Sequence, residues 1–455
     1  MTFSRHFPHW PPGLPHTVAI PDRSVYANLV ASAQAGPDKT LVYYYGRRVS
    51  YGEALREVDA LAGYLQQRCG VKKGDRVLLY LQNSPQFVIG YYAILRTDAV
   101  VVPVNPMNLT EELRHYVEDA EARVAIAGQD RLREIAPLLG QGLEHVVVAT
   151  YSDFVAGSGF PLPDFVRAPR EATSDARIVA WRAAVAASLE AGPHAAGPGD
   201  LAVMPYTSGT TGKPKGCMHT HRNIQSTAMA YLLWRGASDG AVALSALPMF
   251  HVTGMQAGMN GPIYKGATIV VMSRWDRDCA GLLIERAKVT NWSAITTMLV
   301  DFLSNPNLGK YDLSSLTVLG GGGAAMPEAI AAKLEQVIGL PYVEGYGLSE
   351  TMAPSHINPP QRPKKQCGGI PIFNTDARVI GVETLQALGP NEVGEIIIHG
   401  PQVFQGYWRQ PQATAEAFLE HDGKRFFRSG DLGYYDEEGY FFITDRLKRM
   451  INAAG

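Results

Sequence analysis

The chain has 455 residues, of which 46% are hydrophobic and 18% charged, with a formal net charge of -2. That composition belongs to an ordinary globular protein and excludes disordered and fibrous classes, while the near-neutral charge gives no electrostatic footprint for nucleic acid or a strongly anionic membrane. The four cysteines, Cys69, Cys217, Cys279 and Cys367, stand far apart without a CxxC pair, so neither a zinc cage nor a disulfide framework is indicated and a reducing cytoplasm fits.

The first fifteen residues carry no apolar h-region, and no apolar run reaches the roughly 18 residues of a spanning helix. Peripheral membrane contact and a homodimer remain open. From Tyr51, the residues Leu55, Val58, Leu61, Ala62 and Leu65 line one helical face, and 76–81 reads as a buried strand. The alternation continues with an apolar helix near 87–95, a strand at 100–104, an amphipathic helix near 111–120 and strands near Val124 and Val146. Strands alternating with helices of this length predict a largely parallel sheet covered on both faces. Scattered Pro, Gly and Ala over 152–199 break the rhythm and read as a peripheral insertion or a connection between subdomains. A second strand–helix series starts at 201–206 and runs past Gly345. Beyond Gly369, short strands at 377–380, 395–399 and 440–443 between Gly, Pro and acidic turns predict a small β-barrel or sheet. The fold class is therefore α/β, with two layered subdomains of largely parallel sheet over 1–199 and 200–368 and a small β-barrel over 369–445.

The most informative stretch is Tyr206-Thr-Ser-Gly-Thr-Thr-Gly-Lys-Pro-Lys-Gly216, which places four hydroxyls, three glycines and two lysines directly after a buried strand. Glycines let backbone N–H groups approach an anion, hydroxyls add donors and lysines add charge, so the loop is chemically a polyphosphate cradle. It is not a Walker A loop, because no glycine stands five residues before Gly212.

The whole string resembles the signature loop of the adenylate-forming superfamily: acyl-CoA synthetases, aryl-CoA ligases, peptide-synthetase adenylation domains and firefly luciferase. The resemblance covers essentially the whole chain, because further motifs follow in order. It implies that Thr207, Ser208, Gly209, Thr210, Thr211, Gly212 and Lys215 hold nucleotide phosphates, with Thr207 and Lys215 also serving catalysis. Pro248-Met-Phe-His-Val-Thr-Gly254 resembles the second core motif, which puts His251 beside the carboxylate pocket as a catalytic residue. Gly320-Gly-Gly-Gly-Ala-Ala-Met-Pro327 follows an apolar strand, and the resemblance implies that Gly323 and Ala324 border the nucleotide.

Glu344-Gly-Tyr-Gly-Leu-Ser-Glu-Thr351 resembles the motif that holds the adenine and the α-phosphate. Glu344, Gly345, Tyr346 and Gly347 would then line the nucleotide, Tyr346 offering its face to the base. Ser349, where the family usually has Thr, would donate to the phosphate, and Glu350, a catalytic residue in this reading, would share Mg²⁺ with Thr207. Arg428-Ser-Gly-Asp431 resembles the family's TGD motif, with Asp431 accepting both ribose hydroxyls. Asp445-Arg-Leu-Lys448 resembles the hinge motif, in which Arg446 reaches the ribose or phosphate and Lys448 is the pivot. Many members carry Lys four residues later, where this chain has Asn452. Members also carry roughly a further hundred residues after the hinge, the size of a small domain, so 446–455 is read as a hinge whose C-terminal domain is missing.

The implied reaction is AMP-forming ligation of a carboxylic acid to CoA, with ATP, Mg²⁺ and CoA as substrates or cofactors. The wording of Glu344-Gly-Tyr-Gly347 and of Gly400-Pro-Gln-Val-Phe-Gln-Gly-Tyr-Trp408 is similar to bacterial medium- and long-chain fatty acyl-CoA synthetases. Thr296-Thr-Met-Leu-Val-Asp-Phe302 is apolar enough to line an acyl tunnel and equally fits a buried helix start, while Asp301 would repel an acidic tail. Aryl or short thioether acids, a luciferase-like oxidoreductase, and a nucleotide-binding module without turnover are the alternatives.

Overall fold

The computed structural model describes residues 2–156, 159–207, 213–236 and 240–447. Among them, one seven-stranded sheet runs Ile178–Ala180, His145–Ala149, Val124–Gly128, Arg76–Tyr80, Val100–Pro103, Leu201–Val203, His219–Thr220, parallel except for the last pair. A nine-stranded sheet is parallel from Val343–Tyr346 through Val318–Gly322, Asn291–Ser293, Val242–Ser245 and Thr268–Val271 to Thr40–Tyr44, with antiparallel strands at both edges. Both faces of these strands are covered, which is why they read as continuous apolar runs.

Ser50, Ser84, Thr220 and Asp276 each accept the backbone N–H three residues on and start the helices Tyr51–Gln67, Pro85–Arg96, His221–Arg235 and Arg277–Ala287. Short oxygen-bearing side chains do this at N-caps. Helix Pro85–Arg96 is buried at every position from Pro85 to Leu95. It lies between the two large sheets: Asn83 at its approach donates to the Leu247 carbonyl at 2.9 Å, while Gly90 packs on Leu79 and Ile126. A helix that is apolar all round has no solvent face to present. Among the described residues no helix is long and apolar enough to cross a membrane.

The sheets do not follow the sequence-based division at 199/200. Thr40–Tyr44 and Arg47–Ser50 extend the nine-stranded sheet, whereas Leu201–Val203 and His219–Thr220 complete the seven-stranded one. A sheet edge needs a partner for its N–H and C=O groups, and chain order does not dictate which segment supplies it. Nor is 152–199 merely peripheral. Ile178–Ala180 pairs with His145–Ala149, and Trp181 is 1% exposed with its indole donating to Glu57.

The predicted small barrel or sheet is a curled antiparallel sheet. The twelve-residue strand Lys424–Tyr435 has Gly394–His399 on one side; Phe418–His421 and then Phe441–Arg446 pair along the other. Beyond Gly394–His399, strand Asp376–Ile380 forms the far edge. No ladder joins the outer strands among the described residues, so the sheet stays open.

Candidate active site

A cleft of about 940 Å³ opens where the curled sheet meets the nine-stranded one. Val318–Gly322 and Val343–Tyr346 deliver their carboxyl ends to it, the place where open α/β sheets build sites. A Cβ on Gly322 would lie 2.3 Å from the Gly345 carbonyl oxygen, so only glycine lets the two strands end side by side here.

Thr207 and Lys215 close the base of the phosphate loop. The Thr207 N–H donates to the Lys215 carbonyl at 2.9 Å, and the Lys215 N–H donates to Thr207 Oγ1 at 3.2 Å. The outgoing arm then pairs with the segment before Trp408: the Met218 N–H donates to the Gly406 carbonyl, and the Trp408 N–H to the Gly216 carbonyl. This pairing sets Tyr407 between two charged residues. Its ring lies 4.9 Å from Lys215 Nζ, and its hydroxyl donates to Glu350 Oε1 at 2.8 Å. Burial raises the Glu350 carboxyl, and the Tyr407 hydrogen bond opposes that shift.

Beneath Ser349 and Glu350 sits His219, fully buried, with Nε2 bonded to the Ser349 carbonyl at 2.7 Å. Burial lowers its imidazole from 6.5 to about 4. Between those values the unfolded chain takes up a proton that the folded chain refuses, so the stability linked to His219 is full above pH 6.5 and falls as pH drops toward 4. Burial lowers His6, His221 and His356 in the same way, so urea unfolding should show a lower midpoint at about pH 5 than at about pH 7, and His219→Gln should narrow that difference. A midpoint unchanged over that window contradicts the assignment.

The second wall is built by a β-bulge. Arg428 pairs with Ile397 and Leu432 with Glu395, so Ser429, Gly430 and Asp431 all face Ile396. Gly430 adopts φ 68° there, and the bulge re-aims the strand toward the cleft. Glu395, 1% exposed, holds it in place: Oε2 accepts from Arg428 Nε at 3.0 Å and Nη2 at 2.6 Å, and Oε1 accepts the Gly430 N–H at 3.2 Å. Asp431 accepts the Tyr346 hydroxyl at 2.7 Å and pairs with Arg446 at 3.0 Å. Its carboxyl is raised by burial, against both of those partners.

At the other end, His251 caps a short helix by accepting the Thr253 N–H on Nδ1. It keeps solvent access on the cleft wall, yet the protein around it lowers its imidazole through desolvation. The chain then passes into a π-helical stretch, Gln256–Asn260, a conformation frequent at functional sites. Gln256 lines the cleft, donates through Nε2 to Thr227 Oγ1 at 2.9 Å, and leaves Oε1 without a partner among the described residues.

The cleft thus gathers Thr207, Lys215, His251, Ser349, Glu350 and Arg446, together with backbone at Gly323, Gly345, Tyr346 and Gly347. Asp431 touches it through Tyr346 and Arg446. Besides Asp431, two other expected residues do not line it. Glu344 turns its carboxylate to the N–H groups of Met326 and Gln366, tying down the glycine turn, and Ala324 lies outside on an exposed turn. Ser208, Gly209, Thr210, Thr211, Gly212 and Lys448 fall outside the described residues. The segment expected to line an acyl tunnel is core instead: Met298, Leu299 and Phe302 are buried in the main hydrophobic cluster, and Asp301 pairs with Arg277. The sequence motifs point to no role for Tyr407, Gln256 or Glu395. An acidic residue inside the apolar strand 394–399 was the available signal for Glu395.

A profile of the family "AMP-binding enzyme" matches residues 29–408. A long-chain-fatty-acid–CoA ligase of Bacillus subtilis (strain 168) is 34% identical over 98% of this chain and 80% of its own length. A feruloyl-CoA synthase of an Amycolatopsis species is 32% identical over 94% of this chain and 79% of its own. The crystal structure of a long-chain-fatty-acid–CoA ligase from Archaeoglobus fulgidus superposes with a TM-score of 0.84 at 28% identity, covering 98% of this chain and 88% of the other. The profile spans most of the chain and the relatives align along nearly all of it, so the chain belongs to the AMP-binding enzyme family, as one of its AMP-forming acid–thiol ligases.

Proposed function

We propose that the acid activated here is a straight-chain fatty acid, and that the cleft makes its acyl-adenylate between His251 and the Thr207–Lys215 pair. One observation carries the choice of acid. The charged side chains lining the cleft come from the phosphate loop, the turn at Glu350, the helix Pro411–Glu416 and the curled sheet with Arg446. Helix His221–Arg235 and the 251–256 segment add only Tyr231, Thr253, Gln256 and a His251 whose neutral form burial favours. Such a wall accepts an uncharged acyl group and gives a second carboxylate no cation.

Chemically, a carboxylate oxygen of the acid attacks the α-phosphorus of ATP and the bond to pyrophosphate breaks. The CoA sulfur then attacks the acyl carbon, its C–O bond to phosphate breaks, and AMP leaves. No side-chain nucleophile is required; the protein positions groups and neutralises charge. Lys215, steadied over Tyr407, faces the phosphates. His251 Nδ1 is engaged as an acceptor, which leaves the ring proton on Nε2 as a donor to the acid. Tyr346 and Asp431 receive the adenosine, and Ser349 donates to the α-phosphate.

The donor set for Mg²⁺ is one carboxylate, Glu350, with the hydroxyl of Thr207. Among the described residues no cluster of His, Cys, Asp or Glu could hold a metal by itself. That fits Mg²⁺, which keeps waters and phosphate oxygens as most of its ligands, and which when bound would offset charge on the phosphates.

The reading is tested by pyrophosphate release from ATP with octanoic, palmitic, ferulic, coumaric and malonic acids. Fatty acids should exceed aryl and dicarboxylic acids in kcat/KM by about 10²-fold. Preference for ferulic or coumaric acid would favour the aryl reading that the feruloyl-CoA synthase relative suggests.

A further inference from the structure

Tyr231 lines two separate spaces. One is the main cleft, near His251 and Gln256. The other is a smaller cavity of about 30 Å³ behind the ring, walled by Ala243, Ala257, Ala267, Pro262 and Ser293. It lies between helix His221–Arg235 and the nine-stranded sheet, and exceeds the roughly 10–15 Å³ that one water needs. Four alanines, Ala241, Ala243, Ala257 and Ala267, line it with small side chains.

A hydrogen bond of 2.6 Å between the Tyr231 hydroxyl and Ser293 Oγ ties the ring to the strand Asn291–Ser293. Tyr231, the residue common to both linings, is thus held at its hydroxyl by the sheet. Turning one ring would join the cavities into a channel leading away from His251, with alanine and proline along its walls.

We infer that Tyr231, tied by Ser293, sets the acyl-chain length the enzyme accepts by closing the acid end of the cleft against this apolar extension. The inference rests on the fatty-acid reading above. With the ring in place, an acyl chain meets the phenol edge; with the ring displaced, further methylenes enter the alanine-lined space. A hydrogen bond that merely fastened helix to sheet would affect all acids alike. A partition changes their ratio.

The experiment compares the parent chain with Tyr231→Ala, Tyr231→Phe and Ser293→Ala, measuring kcat/KM for pyrophosphate release with hexanoic, decanoic and palmitic acids. Tyr231→Ala should raise the palmitic-to-hexanoic ratio by about tenfold or more, since a single methylene in an apolar pocket is worth about that much. Tyr231→Phe and Ser293→Ala keep the ring but untie it, so both should move the ratio the same way by less. An unchanged ratio in an active Tyr231→Ala overturns the inference. If that variant does not fold, unchanged ratios in the other two overturn it equally. A parent chain that activates aryl acids and none of these three fatty acids removes the underlying fatty-acid reading, and the inference with it.

Discussion

Replacing Glu350 by Gln should slow pyrophosphate formation by about 10²–10³-fold while leaving AMP affinity nearly unchanged. The amide keeps the shape of the side chain and still accepts from Tyr407, whose hydroxyl lies 2.8 Å from Oε1; only the charge is lost. A carboxylate has about four lone-pair sites, so the tyrosine leaves capacity for a cation. AMP arrives without the β- and γ-phosphates that accompany Mg²⁺, hence the asymmetry. The same reasoning sets a pH dependence. Because burial raises the Glu350 carboxyl, Mg·ATP affinity should be full above that raised value and fall as acidification protonates the group. The Gln variant should lack that limb. Calorimetric titration with Mg·ATP and with AMP checks both points, and equal losses for the two ligands would take Glu350 off the metal.

Glu395→Ala should destabilise the fold by about 1–3 kcal/mol, the usual consequence of leaving buried donors without their acceptor, since the Arg428 side chain left behind is 31% exposed and keeps solvent access. Its carboxylate is the shared acceptor for two Arg428 nitrogens and the Gly430 N–H, and without it the bulge loses what pins Ser429, Gly430 and Asp431. Nucleotide affinity should fall along with stability, since Asp431 is aimed by that bulge. Glu395→Gln keeps acceptor geometry and should lose distinctly less. Denaturant unfolding gives the first number and AMP titration the second. A loss below about 1 kcal/mol in Glu395→Ala, the size of an ordinary surface change, would mean that the bulge holds itself.

Much of the site was legible because its residues travel in short strings. Thr207 and Lys215 flank one loop, Ser349 and Glu350 one turn, and His251 one strand-to-helix passage; each string carries its own chemistry. Tyr407 was not legible in that way. Its place depends on Gly216 and Met218 pairing with a segment nearly two hundred residues away, and no local pattern encodes that. Glu344 illustrates the converse: it sits inside a nucleotide-binding string, yet its carboxylate holds the Met326 turn.

The fold divides along similar lines. Helix Pro85–Arg96 was readable because an all-apolar stretch has one solution, burial between layers. The hairpin Thr40–Tyr44 and Arg47–Ser50 went unread, since two adjacent arginines mask the alternation. The segment 296–302 was ambiguous in principle, because an apolar run serves a tunnel wall and a core equally well, and only tertiary contacts chose the core. Whether the strands after Gly369 close into a barrel or stay an open sheet was not legible, because closure is a property of strand pairing between sheet edges that individual strands do not announce.

The central claim is that this cleft joins a carboxylate oxygen to the α-phosphorus of ATP. Supplying palmitic acid labelled with heavy oxygen in its carboxyl group, together with Mg·ATP and CoA, and weighing the products by mass spectrometry tests it most directly. The account predicts one labelled oxygen in each AMP formed, none in pyrophosphate, and AMP equal in amount to palmitoyl-CoA. Unlabelled AMP, or label in orthophosphate accompanied by ADP, would contradict it.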